Sequence, residues 1–132
     1  MPNQPIDPPG LFKEAGFHQV MVSEGSRMIH IAGQGAYDSD MNVVGENHKE
    51  QMLQALKNTA LALKAAGASP VDIVSSTIYV KGLKPSVAQG VMEALAQAVD
   101  GQPYPAHAFN MIGIETLADP RHLVEVTSLA VL

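Results

Sequence analysis

Ala106–Ile114 reads AHAFNMIGI and Leu123–Val131 reads LVEVTSLAV. Both are apolar runs of strand length, and each carries one side chain able to do chemistry: His107 in the first, Glu125 in the second. Strand side chains alternate in direction, so His107 shares a face with Phe109 and Met111, and Glu125 shares one with Leu123 and Thr127. A carboxylate inside an apolar strand is costly unless it is hydrogen-bonded, paired or functional. The connecting loop, Glu115–His122, suits antiparallel neighbours. The alternation leaves open whether His107 and Glu125 meet, within one chain or across two.

Working back from this pair, Gly101, Pro103 and Pro105 end a helix expected over Ser86–Val99, with Val87, Val91, Leu95 and Val99 (or Ala98) on its apolar stripe. Ser86 and Gln89 have capping-box spacing. Asp72–Lys81 (DIVSSTIYVK) is rich in β-branched residues and reads as a strand, with Ser75-Ser76-Thr77 as polar filling. No nucleophile-elbow motif surrounds these hydroxyls. Gly67 stops an earlier helix that starts behind Asn47 and places Met52, Leu53, Leu56, Ala60 and Leu63 on one stripe. Asn47 and Glu50 repeat the capping-box spacing.

Toward the N-terminus, His18–Ser23 and Met28–Ala32 flank Glu24-Gly25-Ser26-Arg27, an expected hairpin with a tight turn. Gly33-Gln34-Gly35 follows. A glycine there suits a bend or close backbone approach to a ligand, with Gln34 read as a turn residue. Met41–Val44 is a candidate short strand. Residues 1–14 are expected to be an extended arm, since Met1–Gly10 holds four of the nine prolines. The element order predicts an α/β (α+β) fold: a mixed sheet of about five to six strands with both helices on one face. The other face then needs a cover, and a second copy of the chain is the simplest one.

Composition narrows the function classes. The 132 residues suit a single domain spanning 1–132. With 46% hydrophobic and 16% charged residues the chain is globular, not disordered. A net charge of -5 without a basic stripe argues against nucleic acid as a partner. The absence of cysteine removes disulfides, thiol nucleophiles and thiolate metal sites. No run approaches the roughly 18–20 apolar residues of a membrane span, and no signal-peptide pattern opens the chain, so a cytoplasmic protein without a membrane partner is expected. The five histidines show no metal-binding spacing, so no metal and no cofactor are expected. The seven methionines read as core filling.

The ordered set Ile31-Ala32-Gly33-Gln34, Gln51–Asn58 (QMLQALKN), Ala65-Ala66-Gly67-Ala68, Asp72-Ile73-Val74, Thr77-Ile78-Tyr79-Val80, Pro105-Ala106 and Val124-Glu125-Val126 resembles the RidA/YjgF family of enamine/imine deaminases. The resemblance covers about residues 15–131. It implies a chorismate-mutase-like fold, a homotrimer, and ligand clefts between subunits where cofactor-independent members hydrolyse small 2-enamines and 2-imines to 2-oxo acids and ammonia. In that family an arginine after Pro-Ala grips the substrate carboxylate, and a glutamate on the last strand handles water.

The resemblance places His107 at the arginine position and Glu125 at the glutamate position. It places Phe17, Ala32, Gly33, Gln89 and Phe109 around the substrate. His18 is the other candidate for the Phe17 position. Losing the arginine fork removes a bidentate, permanently charged grip, worth about 30- to 1000-fold in binding. The expected function is a hydrolase of a small enamine, imine or related unsaturated metabolite, with Glu125 activating water and His107 orienting substrate. The alternative is a small-metabolite-binding member without turnover. The two part on whether His107 and Glu125 line one cleft with room for a water.

Overall fold

A computed structural model describes residues 3–132. Helix α1 (His48–Ala65) begins where Asn47 accepts the Glu50 N–H through its side chain at 2.8 Å. The Glu50 carboxylate reaches back to the Glu46 N–H at 2.9 Å, one residue earlier than a standard capping box. The helix ends in a Schellman motif. The Gly67 N–H bonds the Lys64 carbonyl, the Ala68 N–H bonds the Leu63 carbonyl, and Gly67 adopts φ 80°. Met52, Leu56 and Leu63 of the expected stripe are buried.

Helix α2 (Pro85–Gln97) differs at its start from the Ser86–Gln89 expectation. Its N-cap is Lys84, and Pro85 takes the first helical position, where a missing N–H costs nothing and φ is already set. Ser86 is thus inside the first turn, and Gln89 bonds Glu93 one turn on instead of capping.

Among the described residues six strands form: β1 (Asn3–Ile6), β2 (Val20–Ser23), β3 (Met28–Gln34), β4 (Ile73–Lys81), β5 (Ala108–Ile114) and β6 (Val124–Val131). They do not share one sheet. β3, β6, β4 and β5, in that spatial order, make a four-stranded sheet in which only β4–β5 is parallel. β1, which lies within the segment 1–14 expected as an arm, forms a separate antiparallel ribbon with β2; residues 1 and 2 of that segment lie outside the described residues. Among the described residues, no helix is long and apolar enough to cross a membrane.

The expected hairpin between His18–Ser23 and Met28–Ala32 is therefore not made. β3 pairs with β6 from Met28↔Val131 onward, and Arg27 and Leu132 exchange backbone hydrogen bonds at 3.2 and 3.0 Å. β3 has buried Ile29 and Ile31 to match the inward residues of β6, whereas β2 has no buried residue to offer. Gly25 is needed at the crossing, because any side chain there would overlap the Leu132 carbonyl group. The Met41–Val44 segment contributes a lone bridge, Tyr37↔Val43.

Both helices lie on one sheet face. Ile78 and Val80 of β4, Val124, Val126 and Ala130 of β6, and Ile29 and Ile31 of β3 meet Met52, Leu56, Leu63, Val91 and Leu95 in one core. The opposite face carries Ser75, Thr77 and Tyr79 of β4 with Glu125, Thr127 and Leu129 of β6, all at least partly accessible. Both helices are thus spent on one side of the sheet.

Candidate functional site

The last two strands are not the neighbours their connecting loop would allow, because β4 lies between them, and they bring two groups of residues to the two ends of the sheet. The first is built by Pro103-Tyr104-Pro105. The Tyr104 N–H bonds the Leu95 carbonyl at 2.7 Å, which seats this segment on the end of α2. The chain then enters β5 with His107 just ahead of it and buried.

Both imidazole nitrogens of His107 are engaged. Nδ1 lies 2.9 Å from the Pro105 carbonyl oxygen, which only accepts, so Nδ1 carries the proton. Nε2 then accepts the Ser76 hydroxyl at 2.8 Å, and Ser76 Oγ in turn accepts from Ser128 Oγ at 3.0 Å. Burial pushes the His107 pKa below its ordinary 6.5, against a smaller upward pull from the Pro105 carbonyl. The ring is a neutral imidazole. The Tyr104 ring packs 6.1 Å from it, and its buried hydroxyl has no partner among the described residues.

On the accessible side lies a concavity of about 1200 Å³. Ser75, Thr77, Asn110 and Thr127 contribute to its floor, and the segment Phe12–Gln19 hangs over it as a strap. Phe17 pairs with His107 as a parallel bridge, and the His18 N–H bonds the His107 carbonyl at 3.0 Å. The Phe17 and Phe109 rings meet edge-to-face at 5.6 Å. Asp7 anchors the strap: one carboxylate oxygen accepts the Gln19 N–H at 2.9 Å and the other bonds His18 Nδ1 at 2.8 Å. These contacts hold the Asp7 pKa below its usual 3.8, the Gln19 N–H contributing most.

The second group sits at the far end of β3 and β6. Glu125 lies against Gly33 so closely that any side chain at position 33 would overlap its carboxylate. Glu125 is half-accessible and makes no hydrogen bond or ion pair among the described residues. Ala32 is exposed beside it, and Gln34 folds back to bond the Ala32 carbonyl at 3.1 Å while accepting the Tyr37 hydroxyl at 3.2 Å.

Of the sequence-predicted residues, Phe17, His107 and Phe109 therefore come together, and so do Ala32, Gly33 and Glu125. The two groups do not meet within one chain. Ala108, next to His107, pairs with Ser75, while Glu125 pairs with Tyr79. Four residues of β4 separate those levels, about 13 Å at strand rise. The side chains also leave opposite faces of the sheet, His107 toward Ser76 in the core and Glu125 toward the open side. Gln89 belongs to neither group and is exposed on α2.

Sequence reading missed Ser76 and Ser128 as partners of His107. They are Cα partners on β4 and β6, a relationship that needs the strand register. It also missed Gln51. That buried side chain accepts the Leu123 N–H at 2.8 Å and donates to the Gly45 and Arg121 carbonyls at 3.3 Å, which fixes the entry of β6 and so the height of Glu125.

The family described as Endoribonuclease L-PSP matches residues 12–132 of this chain. The chain belongs to the Rid family. A RutC family protein, SSO3206 of Saccharolobus solfataricus, is 31% identical over 105 residues, 78% of each chain. Among solved Rid structures, YyfB from Yersinia pestis, a protein of unknown function, superposes with a TM-score of 0.81 at 29% identity over 100% of both chains. RidA from an Antarctic Psychrobacter shares the fold, with a TM-score of 0.69 at 21% identity over 96% of this chain and 94% of its own. The α+β fold of this Rid chain, two helices on a mixed sheet, is that of these structures.

Proposed function

We propose that this Rid chain is a hydrolase of a small enamine, imine or related unsaturated metabolite, acting in a cleft between subunits of a homotrimer. The carrying observation is the division of the candidate residues into two half-sites on one sheet. The Phe17–Phe109 concavity of one subunit and the Glu125–Gly33 end of another would complete each other. The accessible sheet face gives the surface on which such copies would pack.

In this reading Glu125 is the general base. It takes a proton from water as the water oxygen attacks the C=N carbon, and the proton passes to nitrogen. The carbinolamine collapses to a carbonyl compound and ammonia: R₂C=NH + H₂O gives R₂C=O + NH₃. A half-accessible, unpaired carboxylate suits this role. His107, with both nitrogens engaged, serves as a positioning residue that fixes Ser76 and the start of β5, where Phe109 meets the ligand. Gly33 provides the close approach to Glu125.

The experiment measures ammonia release from in situ imines with wild type, Glu125→Ala, and a variant that blocks the concavity, Ser75→Tyr. Each variant alone is expected to be inactive. Co-assembled, the two should regain part of the activity, because some clefts then combine an intact concavity with an intact Glu125. No regain would place the site within one chain. An inert wild type that still binds small ketones would favour the binding-protein alternative.

A further inference from the structure

The cations of the chain are placed where the concavity is not. Arg121 is bonded to Asp119, and Lys49 lies 3.6 Å from Glu93. Lys81 donates to the Pro120 carbonyl at 2.9 Å, and Arg27 to the Ala66 carbonyl at 3.5 Å. Lys57 and Lys64 are exposed on α1, Lys84 caps α2, and Lys13 is exposed on the strap without lining the space beneath it. These are all eight lysines and arginines. Of the imidazoles near the concavity, His107 is neutral and satisfied, His18 is tied to the Asp7 carboxylate, and His30 stands on the open face.

What the two half-sites offer instead is a carboxylate, Glu125, an apolar wall of Phe17, Phe109 and Met92, and a floor whose polar groups, from Ser75, Thr77, Asn110 and Thr127, are all uncharged. A ligand carboxylate entering such a place loses its hydration without a cationic partner and faces a like charge. An imine without a carboxylate meets no such penalty. Its protonated iminium form, which is the form water attacks, is favoured by Glu125 and by the aromatic rings.

We infer that the substrate of this site is a carboxylate-free imine, the imine of a simple amine or aldehyde, and not a 2-imino acid. The inference rests on the hydrolase reading above and names its substrate class. The reaction that supplies such a substrate is the two-electron oxidation of a primary amine, R–CH₂–NH₂ to R–CH=NH, or the condensation of an aldehyde with ammonia. The hydrolysis itself, R–CH=NH + H₂O to R–CHO + NH₃, is redox-neutral and needs no further reactant.

The test pairs two imines of equal chain length. Butan-1-imine is generated from butylamine by a flavin amine oxidase, and 2-iminobutyrate from 2-aminobutyrate by an amino-acid oxidase. Ammonia release is followed continuously for each imine at about pH 8.5, where unperturbed imidazoles are neutral. Wild type is expected to accelerate ammonia release from butan-1-imine at least about 30-fold more efficiently than from 2-iminobutyrate. Equal or faster removal of 2-iminobutyrate overturns the inference and leaves the hydrolase reading standing.

If neither imine is removed faster than in buffer, the hydrolase reading fails and binding decides the inference. Saturation-transfer NMR then compares butan-2-one with 2-oxobutyrate. Preference for the ketone upholds a carboxylate-free ligand; preference for the oxo acid, or binding of neither, overturns it. Glu125→Gln adds a readout that a purely structural role would not move. It is expected to raise 2-oxobutyrate binding relative to butan-2-one by about tenfold, by removing the like charge. An unchanged ratio counts against the inference.

Discussion

His107 Nε2 accepts the Ser76 hydroxyl at 2.8 Å, deep on the helix side of the sheet. The position where the family resemblance implies a substrate-gripping arginine is thus occupied by a neutral ring that looks inward. The Ser128–Ser76–His107–Pro105 chain is directional from end to end, each member donating to the next. It ties β6, β4 and the entry to β5 together beneath the concavity.

Ser76→Ala leaves His107 Nε2 buried without a donor and Ser128 without its acceptor. A buried polar group stripped of its partner costs about 1–3 kcal/mol. Urea denaturation should show a loss of this size with an unchanged m-value. Adding Ser128→Ala to Ser76→Ala should cost less than Ser128→Ala costs alone, because the two hydroxyls share one bond. Additive losses would show that the chain is not a unit.

The lowered His107 pKa makes stability acid-sensitive. The folded ring resists protonation while the unfolded one takes a proton near its ordinary 6.5. Stability contributed here is present above that value, falls as pH drops through 6.5, and stops falling once the lower folded-state pKa is passed. Asp7 adds to the loss at lower pH, since its folded carboxyl titrates below 3.8 and its contribution goes as pH falls through that folded value. Denaturation curves at about pH 7.5 and about pH 5.5 separate the two. Wild type should lose stability across that interval and His107→Gln should lose less, with Asp7 still ionised at both.

Asp7→Asn keeps one acceptor for the Gln19 N–H but weakens the contact with His18. The strap over the concavity is then held by Phe17 and by the His18 N–H bond to His107. Limited proteolysis within residues 7–19 should be faster in this variant than in wild type, with cleavage elsewhere unchanged. Equal rates would mean that the Asp7 contacts contribute little to holding the strap.

The parts of this fold legible in the sequence are those set by local pattern. The α1 cap and stop, the β4 run and the two final strands follow from side-chain period and capping chemistry, and the alternation correctly separates His107 from its neighbours Ala106 and Ala108. The β2–β3 pairing was not legible, because β3 chooses β6, a strand about a hundred residues away in the chain. Local turn residues at Glu24–Arg27 carry no information about that competitor. The site was legible as a set of residues and illegible as a shape. Period two says which side chains share a face, but the register of β4 against β5 and β6 decides that His107 and Glu125 leave opposite faces.

The closest fit in the candidate site is that of Gly33 against the Glu125 carboxylate, and it gives the sharpest test of where Glu125 acts. Gly33 has no positive φ, and the three atoms nearest an added Cβ there all belong to Glu125. Gly33→Ala should therefore push the carboxylate aside and lower imine hydrolysis nearly as far as Glu125→Ala does. The carboxylate is the far end of a flexible, partly accessible side chain, so it can swing away and the loss of stability should stay below about 1 kcal/mol. The effect is read in activity: Gly33→Ala should lower hydrolysis by the wild type but leave whatever activity Glu125→Ala retains unchanged, a coupling that a double-mutant cycle on the rate reads directly. Equal proportional losses in the two backgrounds would mean that the carboxylate does not rest on Gly33 in solution, and the Glu125 half-site as described would fall.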